Sequence, residues 1–392
     1  MPVFVPLETM SVYKEVYGNA PELISSAPGR VEVIGNHVDY NGGLVIGAAI
    51  NRRVRLELGT NTSGLLRLIS GLDARPVELP LRKTLLPLKG QERWANYLLG
   101  VIKKLQELGL CLESGINLAV SSELPSGAGL SSSAALEMAT AVAFNEWAQL
   151  GLDTKTLVQV ARWAENEFVG VPCGILDQGV VGFGQANHLV AIDCRKEDFH
   201  AIPLPPDTCF WIFNSGKKHS LVDSFYADRF GECQEALSLL RGAMPGSSHL
   251  ALVTPSQLEE FQDRLPKTLA RRARHVVEEQ GRVESFMQAL ENGEGWDVTG
   301  PLLSASHASS RDLFENSIEE LDYLVESLIA CPGVYGARLT GGGFGGAVLA
   351  VTSPSFAEPE GRAISHSYQK RFGHAPQVIR LSPDEGARTD PI

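Results

Sequence analysis

Leu124 to Ala135 reads LPSGAGLSSSAA, residue types suited to holding an anion. Gly127 and Gly129 allow a tight turn with backbone N–H groups facing inward, and Ser131, Ser132 and Ser133 bring three hydroxyls to where a helix begins. A helix N-terminus entered through glycines attracts phosphate. No Lys follows in the GxxxxGK[ST] order, so this is not a Walker A loop. A plain glycine turn closed by a serine cap is the alternative. A second stretch, APGRVEVIGNHVDYNGG from Ala27 to Gly43, gathers Arg30, Glu32, Asn36, His37, Asp39 and Tyr40. One cation, two carboxylates, an imidazole and a phenol can recognise several hydroxyls at once, whereas a solvated turn needs none of them. Glu165 and Glu167 fall near a helix C-terminus, where carboxylates oppose the dipole and are met by solvent or by a positive partner such as a metal ion. Asp177, in CGILDQ, stands between Ile175, Leu176 and Val180, either as a working acid or as a buried structural Asp bonded to backbone amides. Gly341 to Gly346 is GGGFGG, and five glycines in six residues are more than a hairpin requires. Such a run lets backbone approach a ligand or another segment closely.

The elements that position these residues follow from periodicity. Val12 to Tyr17 reads as a short amphipathic helix. Val31 to Ile34 is strand-like and presents the polar run after Gly35 as a loop. Leu44–Ile50 and Arg53–Leu58 read as paired strands, continued by Leu65–Ile69 and Val77–Leu79. Trp94 to Leu108 is helical, Ile116 to Val120 is a strand feeding the glycine loop, and Leu136, Thr140, Ala143, Phe144 and Trp147 mark one inward face of the helix after it. A further helix, capped by Asp153, runs from Thr154 to Phe168. Gly179 to Cys194 reads as paired strands, and Pro203 to Pro206 as a linker, giving domains of 1–205 and 206–392. Beyond it come a strand from Thr208 to Asn214, a helix carrying Tyr226, a helix from Leu269 to Leu290, and one begun by Ser317 with Glu320 at capping-box spacing. Strands at Val334–Thr340 and Ala347–Thr352, a helix to Arg371 and a strand at Val378–Leu381 complete an α+β layer with its helices on one side.

Composition bounds the class. A chain of 392 residues exceeds the usual size of one core, and 44% hydrophobic with 20% charged residues is globular. The net charge of −12 argues against nucleic-acid and anionic-membrane partners. Six dispersed cysteines without a CxxC pair read as reduced thiols, and MPVFVPLETM lacks the pattern of a secretion signal, so a cytoplasmic protein is expected.

In this order, the three stretches resemble the motifs of GHMP-family small-molecule kinases, and among these the galactokinases. GRVEVIGNHVDYNGG is similar to the sugar-binding signature, LPSGAGLSSSAA to the phosphate loop and RLTGGGFGG to the third motif; WANYLLGVI, CGILDQ and RRARHV extend the likeness along the chain. The resemblance implies an N-terminal α+β domain of the ribosomal-protein S5 domain 2 type, a ferredoxin-like C-terminal domain and a site in the cleft between them. It implies ATP and Mg²⁺, a sugar substrate, and a monomer or weak homodimer. It places Asp177 as the catalytic Asp that orients the C1 hydroxyl and takes its proton, with Arg30 beside it. Glu32, Asn36, His37, Asp39, Gly174 and Tyr226 fall at sugar-binding positions. Pro125, Gly127, Ala128, Gly129, Leu130, Ser131, Ser132 and Ser133 fall on the ATP phosphates, with Trp94 and Tyr97 at the adenine pocket. Ser133 and Glu165 match the Mg²⁺ positions, with Glu167 as the neighbouring alternative.

One departure bears on the substrate. The family reads GRVNLIGEHTDY, and here Glu32 and Asn36 have exchanged places. Either Glu32 restores the missing carboxylate from the strand, or the pocket prefers another sugar. The expected activity is therefore phosphorylation of galactose to galactose 1-phosphate. The alternatives are a kinase for arabinose, N-acetylgalactosamine or a uronic acid, and a catalytically silent sugar and ATP sensor. Retention of Arg30, Asp177 and the serine run speaks against the sensor.

Overall fold

The computed structural model describes residues 12–71, 76–81, 84–125, 128–217, 222–242, 244 and 248–392. In chain order the elements are α1 (Val12–Tyr17), β1 (Leu23–Ile34), β2 (Leu44–Asn61), β3 (Leu65–Ser70), β4 (Val77–Pro80), α2 (Asn96–Glu107) and β5 (Gly115–Ser122). Next are α3 (Ser132–Trp147), α4 (Thr154–Trp163), α5 (Leu176–Phe183), β6 (His188–Asp193), β7 (Asp198–Pro203), β8 (Cys209–Asn214) and α6 (Val222–Arg241). Last are α7 (Pro255–Phe261), α8 (Lys267–Glu291), α9 (Trp296–Ser309), α10 (Glu319–Ile329), β9 (Val334–Thr340), β10 (Ala347–Thr352), α11 (Glu358–Phe372), β11 (Gln377–Leu381) and β12 (Arg388–Asp390).

Two sheets organise these elements into the two-domain GHMP kinase fold. The first runs β12-β1-β2-β5-β3-β4, with β6 added to β2 and β7 to β6. The second is antiparallel throughout, in the order β11-β8-β10-β9. Leu44–Ile50 and Arg53–Leu58 are not two paired strands but one strand of 18 residues, long enough to pair with β1 along its length and with β6 and β5 at its two ends. The pairing of β1 with β2 slips between Pro28 and Arg30 and again between Glu32 and Ile34. Bulges of this kind turn a strand and re-aim its side chains, and these two bracket Arg30 and Glu32.

Several local expectations give way to packing. Gly179–Cys194 begins inside α5 rather than in a strand. Val180 and Val181 favour strands locally, but both are fully buried where α5 lies on α4 and β1, and a short apolar run cannot choose between the two structures by itself. Helix α3 buries Ala134, Ala135, Met138, Ala139, Ala141 and Phe144 on all sides rather than one stripe, because it is held between the first sheet and α2, α4 and α5. Asp153 caps α4 by accepting from the Thr156 amide at 2.8 Å, but the helix widens into a π turn over Ala164–Val169. Ser317 caps nothing; its hydroxyl donates to Asp322, and α10 starts after Ile318.

The second sheet is covered on both faces, not one. Trp211, Phe213, Val348 and Ala350 meet Leu321, Leu324 and Leu328 of α10 and Ile364 and Tyr368 of α11. The alternate residues Phe210, Ile212, Leu349 and Val351 join the large core with Phe286, Trp296 and Leu303 of α8 and α9. After β11 the chain returns to the first sheet, where β12 pairs with β1 and Arg53 binds the Glu385 and Gly386 carbonyls at 2.8 and 2.7 Å.

Candidate functional site

Arg30 and Asp177 form the centre. Arg30 sits between the two bulges of β1, 6% exposed, and Asp177 lies in the first turn of α5. Nε and Nη2 of Arg30 reach the same Asp177 oxygen at 2.7 and 2.6 Å, and Nη1 donates to the Gly129 carbonyl at 2.6 Å. The other Asp177 oxygen accepts from the Ser131 hydroxyl. A hydroxyl brought to this carboxylate would meet a base, and a phosphoryl group beside it would meet a fixed guanidinium.

Ser131 shows that the glycine loop is more than a capped turn. Its backbone is left-handed, with φ 53° and ψ 54°, and its side chain does not cap α3. That conformation costs a non-glycine residue roughly 1–2 kcal/mol. The hydroxyl is spent on Asp177, so the first amides of α3 have no side-chain cap and are left for another acceptor. The loop forms one wall of a cavity of about 400 Å³, lined by Pro125, Ala128, Gly129, Leu130 and Ser131 to Ser133. Gly127 lies outside the described residues. The opposite wall is the third glycine stretch, in which Gly341, Gly343, Gly345 and Gly346 all take positive φ. Lys217 also lines it, paired with Glu320 at 3.1 Å.

A second cavity, of about 520 Å³, opens on the other side of Arg30 and Asp177 and is of a size usual for small-molecule sites. Arg30, Asp177, Gly341 and Gly342 border both cavities. Glu32, Asn36, His37, Asp39, Gly174 and Tyr226 line the second one, as do Glu165 and Arg93. Asp39 is packed so closely on Gly174 that a Cβ there would fall within its carboxylate. Burial, with help from the Glu32 and Asp177 charges, pushes Asp39 up to about 7. Burial also pushes Glu32 upward, against the pull of Arg338 and Arg30. His37 is driven down to about 3 by burial, so it is neutral at pH 7. Its Nε2 faces the Gly342 carbonyl at 3.0 Å and must carry the proton, leaving Nδ1 to accept from the Tyr40 hydroxyl at 2.8 Å.

Glu165 and Glu167 part company in the π turn. Glu165 is buried, bonds the Ser133 hydroxyl and the Gln178 amide, and is pushed up to about 7 by burial and then by the Asp177 charge. Glu167 is exposed and lines neither cavity. Trp94 and Tyr97 also line neither cavity and pack against the first core. Sequence reasoning missed Arg93 and Lys217 as lining residues, although each had a signal: Arg93 adjoins the WANY run, and Lys217 belongs to the basic NSGKKHS segment. It also missed Ser310 in the π turn after α9, Asn316 in the loop that follows it and Arg338 of β9, which hold Asn36 and Glu32 from far along the chain.

The chain matches the family models for the galactokinase galactose-binding signature over residues 11–59, the N-terminal domain of GHMP kinases over 96–185 and their C-terminal domain over 286–370. It is 37% identical over 374 residues to a galactokinase of Roseiflexus sp. (strain RS-1), covering 95% of this chain and 94% of that one. It is 40% identical over 372 residues to the galactokinase of Homo sapiens, covering 92% and 91%. Among solved structures, Lactococcus lactis galactokinase complexed with galactose superimposes with a TM-score of 0.89 at 31% identity, covering 96% of this chain and 97% of that one. Likeness sustained through both sheets and all three motifs makes this chain a member of the GHMP kinases, in their galactokinase branch.

Proposed function

We propose that the chain transfers the γ-phosphoryl group of ATP to the C1 hydroxyl of galactose. One observation carries this reading: the carboxylate-lined cavity and the cavity lined by serines and glycines share a border made of Arg30, Asp177, Gly341 and Gly342, so an acceptor in one and a phosphate in the other meet at a base and a cation. Asp177 orients the attacking hydroxyl and takes its proton. Arg30, locked by three short hydrogen bonds, faces the charge that develops on the transferred group. The backbone of the serine loop and the glycine run hold the triphosphate. Asp39, Glu32 and Tyr226 face the sugar, and buried neutral His37 shapes that wall.

Ser133 and Glu165 suit Mg²⁺. They are hard oxygen donors bonded to each other, Ser133 on the wall of the phosphate cavity and Glu165 on that of the sugar cavity, and Glu165 is an acid raised by burial and by a neighbouring carboxylate. When bound there with ATP, the ion neutralises phosphate charge. Trp94 and Tyr97 as an adenine pocket rest on the family pattern alone.

ADP release with Mg-ATP and a panel of galactose, arabinose, N-acetylgalactosamine, galacturonic acid, glucose and mevalonate tests the reading, run beside Asp177→Asn. Fast turnover of galactose that falls by roughly 100-fold or more in the variant supports it. Turnover of another sugar in preference, or equal turnover by the variant, refutes it.

A further inference from the structure

Asn36 and Glu32 both border the sugar cavity, but their hydrogen-bonding capacities differ. The Asn36 amide has two N–H donors and two acceptor lone pairs. One donor goes to the Gly341 carbonyl at 2.9 Å, and the other is shared by the Glu32 carboxylate at 3.1 and 3.3 Å. Its oxygen accepts from Asn316 Nδ2 at 2.8 Å and from the Ser310 hydroxyl at 3.2 Å. Turning the amide over would set its oxygen against a carboxylate and a carbonyl and its nitrogen against the Asn316 amide nitrogen, so this orientation is fixed by its partners. Nothing remains for a ligand. Its backbone is pinned as well: its amide N–H donates to Glu279 at 3.2 Å, and His275 donates to its carbonyl at 3.0 Å.

Glu32 is held but not exhausted. Oε1 takes the shorter Asn36 contact and Arg338 Nη1 at 3.1 Å, while Oε2 has only the longer leg of the shared Asn36 bond. A carboxylate oxygen accepts two hydrogen bonds, so Oε2 keeps capacity on a residue that lines the cavity. Arg338, fully buried on β9, supplies the counter-charge, and the Thr340 hydroxyl ties β9 to the Glu32 backbone by accepting from its N–H at 2.9 Å and donating to its carbonyl at 3.1 Å.

We infer that Glu32 Oε2 is the specificity-determining acceptor for a sugar hydroxyl other than that on C1, and that Asn36 is a positioning residue that touches no hydroxyl and holds the Glu32 carboxylate toward the sugar. The inference rests on the reading of this site as a galactose site. It makes the exchange of the two residues a transfer of the binding carboxylate from the turn to the strand.

Deoxygalactoses lacking one hydroxyl at C2, C3, C4 or C6 test it in steady-state ADP release with the full chain. Wild type should show a raised KM for one of them in particular, by about tenfold or more, since a hydrogen bond to a charged group is lost. Glu32→Gln should raise KM for galactose by a similar factor with kcat within about threefold, and the extra penalty on that one deoxysugar should shrink to about twofold or less. Asn36→Ser, which removes the amide that holds Glu32 but keeps the carboxylate, should lessen the penalty on that same deoxysugar without abolishing it and leave the other analogues as in wild type. If Glu32→Gln raises KM equally for galactose and all four analogues, or if Asn36→Ser erases a penalty on a deoxysugar that Glu32→Gln leaves untouched, the inference is overturned. Glu32→Asp, which keeps the charge and withdraws it from the cavity, gives the same comparison should Glu32→Gln fail to fold. Wild-type protein that does not phosphorylate galactose at all counts against the galactose reading itself.

Discussion

Arg30→Lys separates geometry from charge at the reacting centre. Arg30 uses all three of its side-chain nitrogens, two on one Asp177 oxygen at 2.7 and 2.6 Å and one on the Gly129 carbonyl at 2.6 Å. A lysine keeps the positive charge, so the Asp177 carboxylate is not left unpaired and the fold should survive. Its single ammonium cannot reproduce the planar fork, so either Asp177 or the loop carbonyl loses its partner. A charge-assisted hydrogen bond of this kind is worth roughly 1.5–3 kcal/mol. A misaimed donor to the transition-state charge costs ~3–4 kcal/mol. If the guanidinium acts on the transferred group, kcat should fall by roughly 100- to 1,000-fold, while KM for galactose and for ATP moves much less. Coupled ADP-release kinetics with each substrate varied in turn, beside a thermal melt, measure all of these. A kcat within threefold of wild type would show that charge alone suffices. A raised KM with kcat unchanged would make Arg30 a ground-state binder, and either result refutes the assignment.

Other changes probe the two cavity walls. Gly174→Ala places a methyl group within the Asp39 carboxylate and should raise KM for galactose at least tenfold with KM for ATP near wild type; equal effects on both would mean general disruption. Ser131→Gly removes the hydroxyl from Asp177 and relieves a left-handed serine, so thermal stability should hold or rise while kcat drops about tenfold or more; a parallel loss of both would make Ser131 structural. Asp39→Asn tests the raised carboxyl. With a folded pKa near 7 against an ordinary 3.8, Asp39 contributes stability below pH 4 that is lost as pH rises through 7. The variant should therefore melt higher than wild type at pH 8, with the difference shrinking toward pH 5; a difference independent of pH would contradict burial of an ionising group.

What could be read from the sequence was what neighbouring residues decide. Glycine and serine chemistry marked the loop at Gly129 to Ser133, and the apolar frame marked Asp177, because each signal is complete within one segment. The partners were not legible, because they come from far along the chain. Asn36 meets Ser310, Asn316 and Gly341, 274, 280 and 305 residues away, so its type announced an exchange without showing that its amide was already filled. Glu165 and Glu167 looked equivalent until the π turn put one inside and the other in water. Val180 and Val181 favoured a strand locally and were overruled by the burial available to a helix on α4 and β1. The same division runs through the reacting pair. Arg30 and Asp177 are 147 residues apart, and only the bulged β1 and the first turn of α5 make one the ion partner of the other. The residue types that do chemistry are therefore local information, and their working arrangement belongs to the two sheets, joined where Thr340 of β9 bonds the backbone of Glu32 on β1. A change that loosens that join should weaken galactose binding through Glu32 before it alters Arg30.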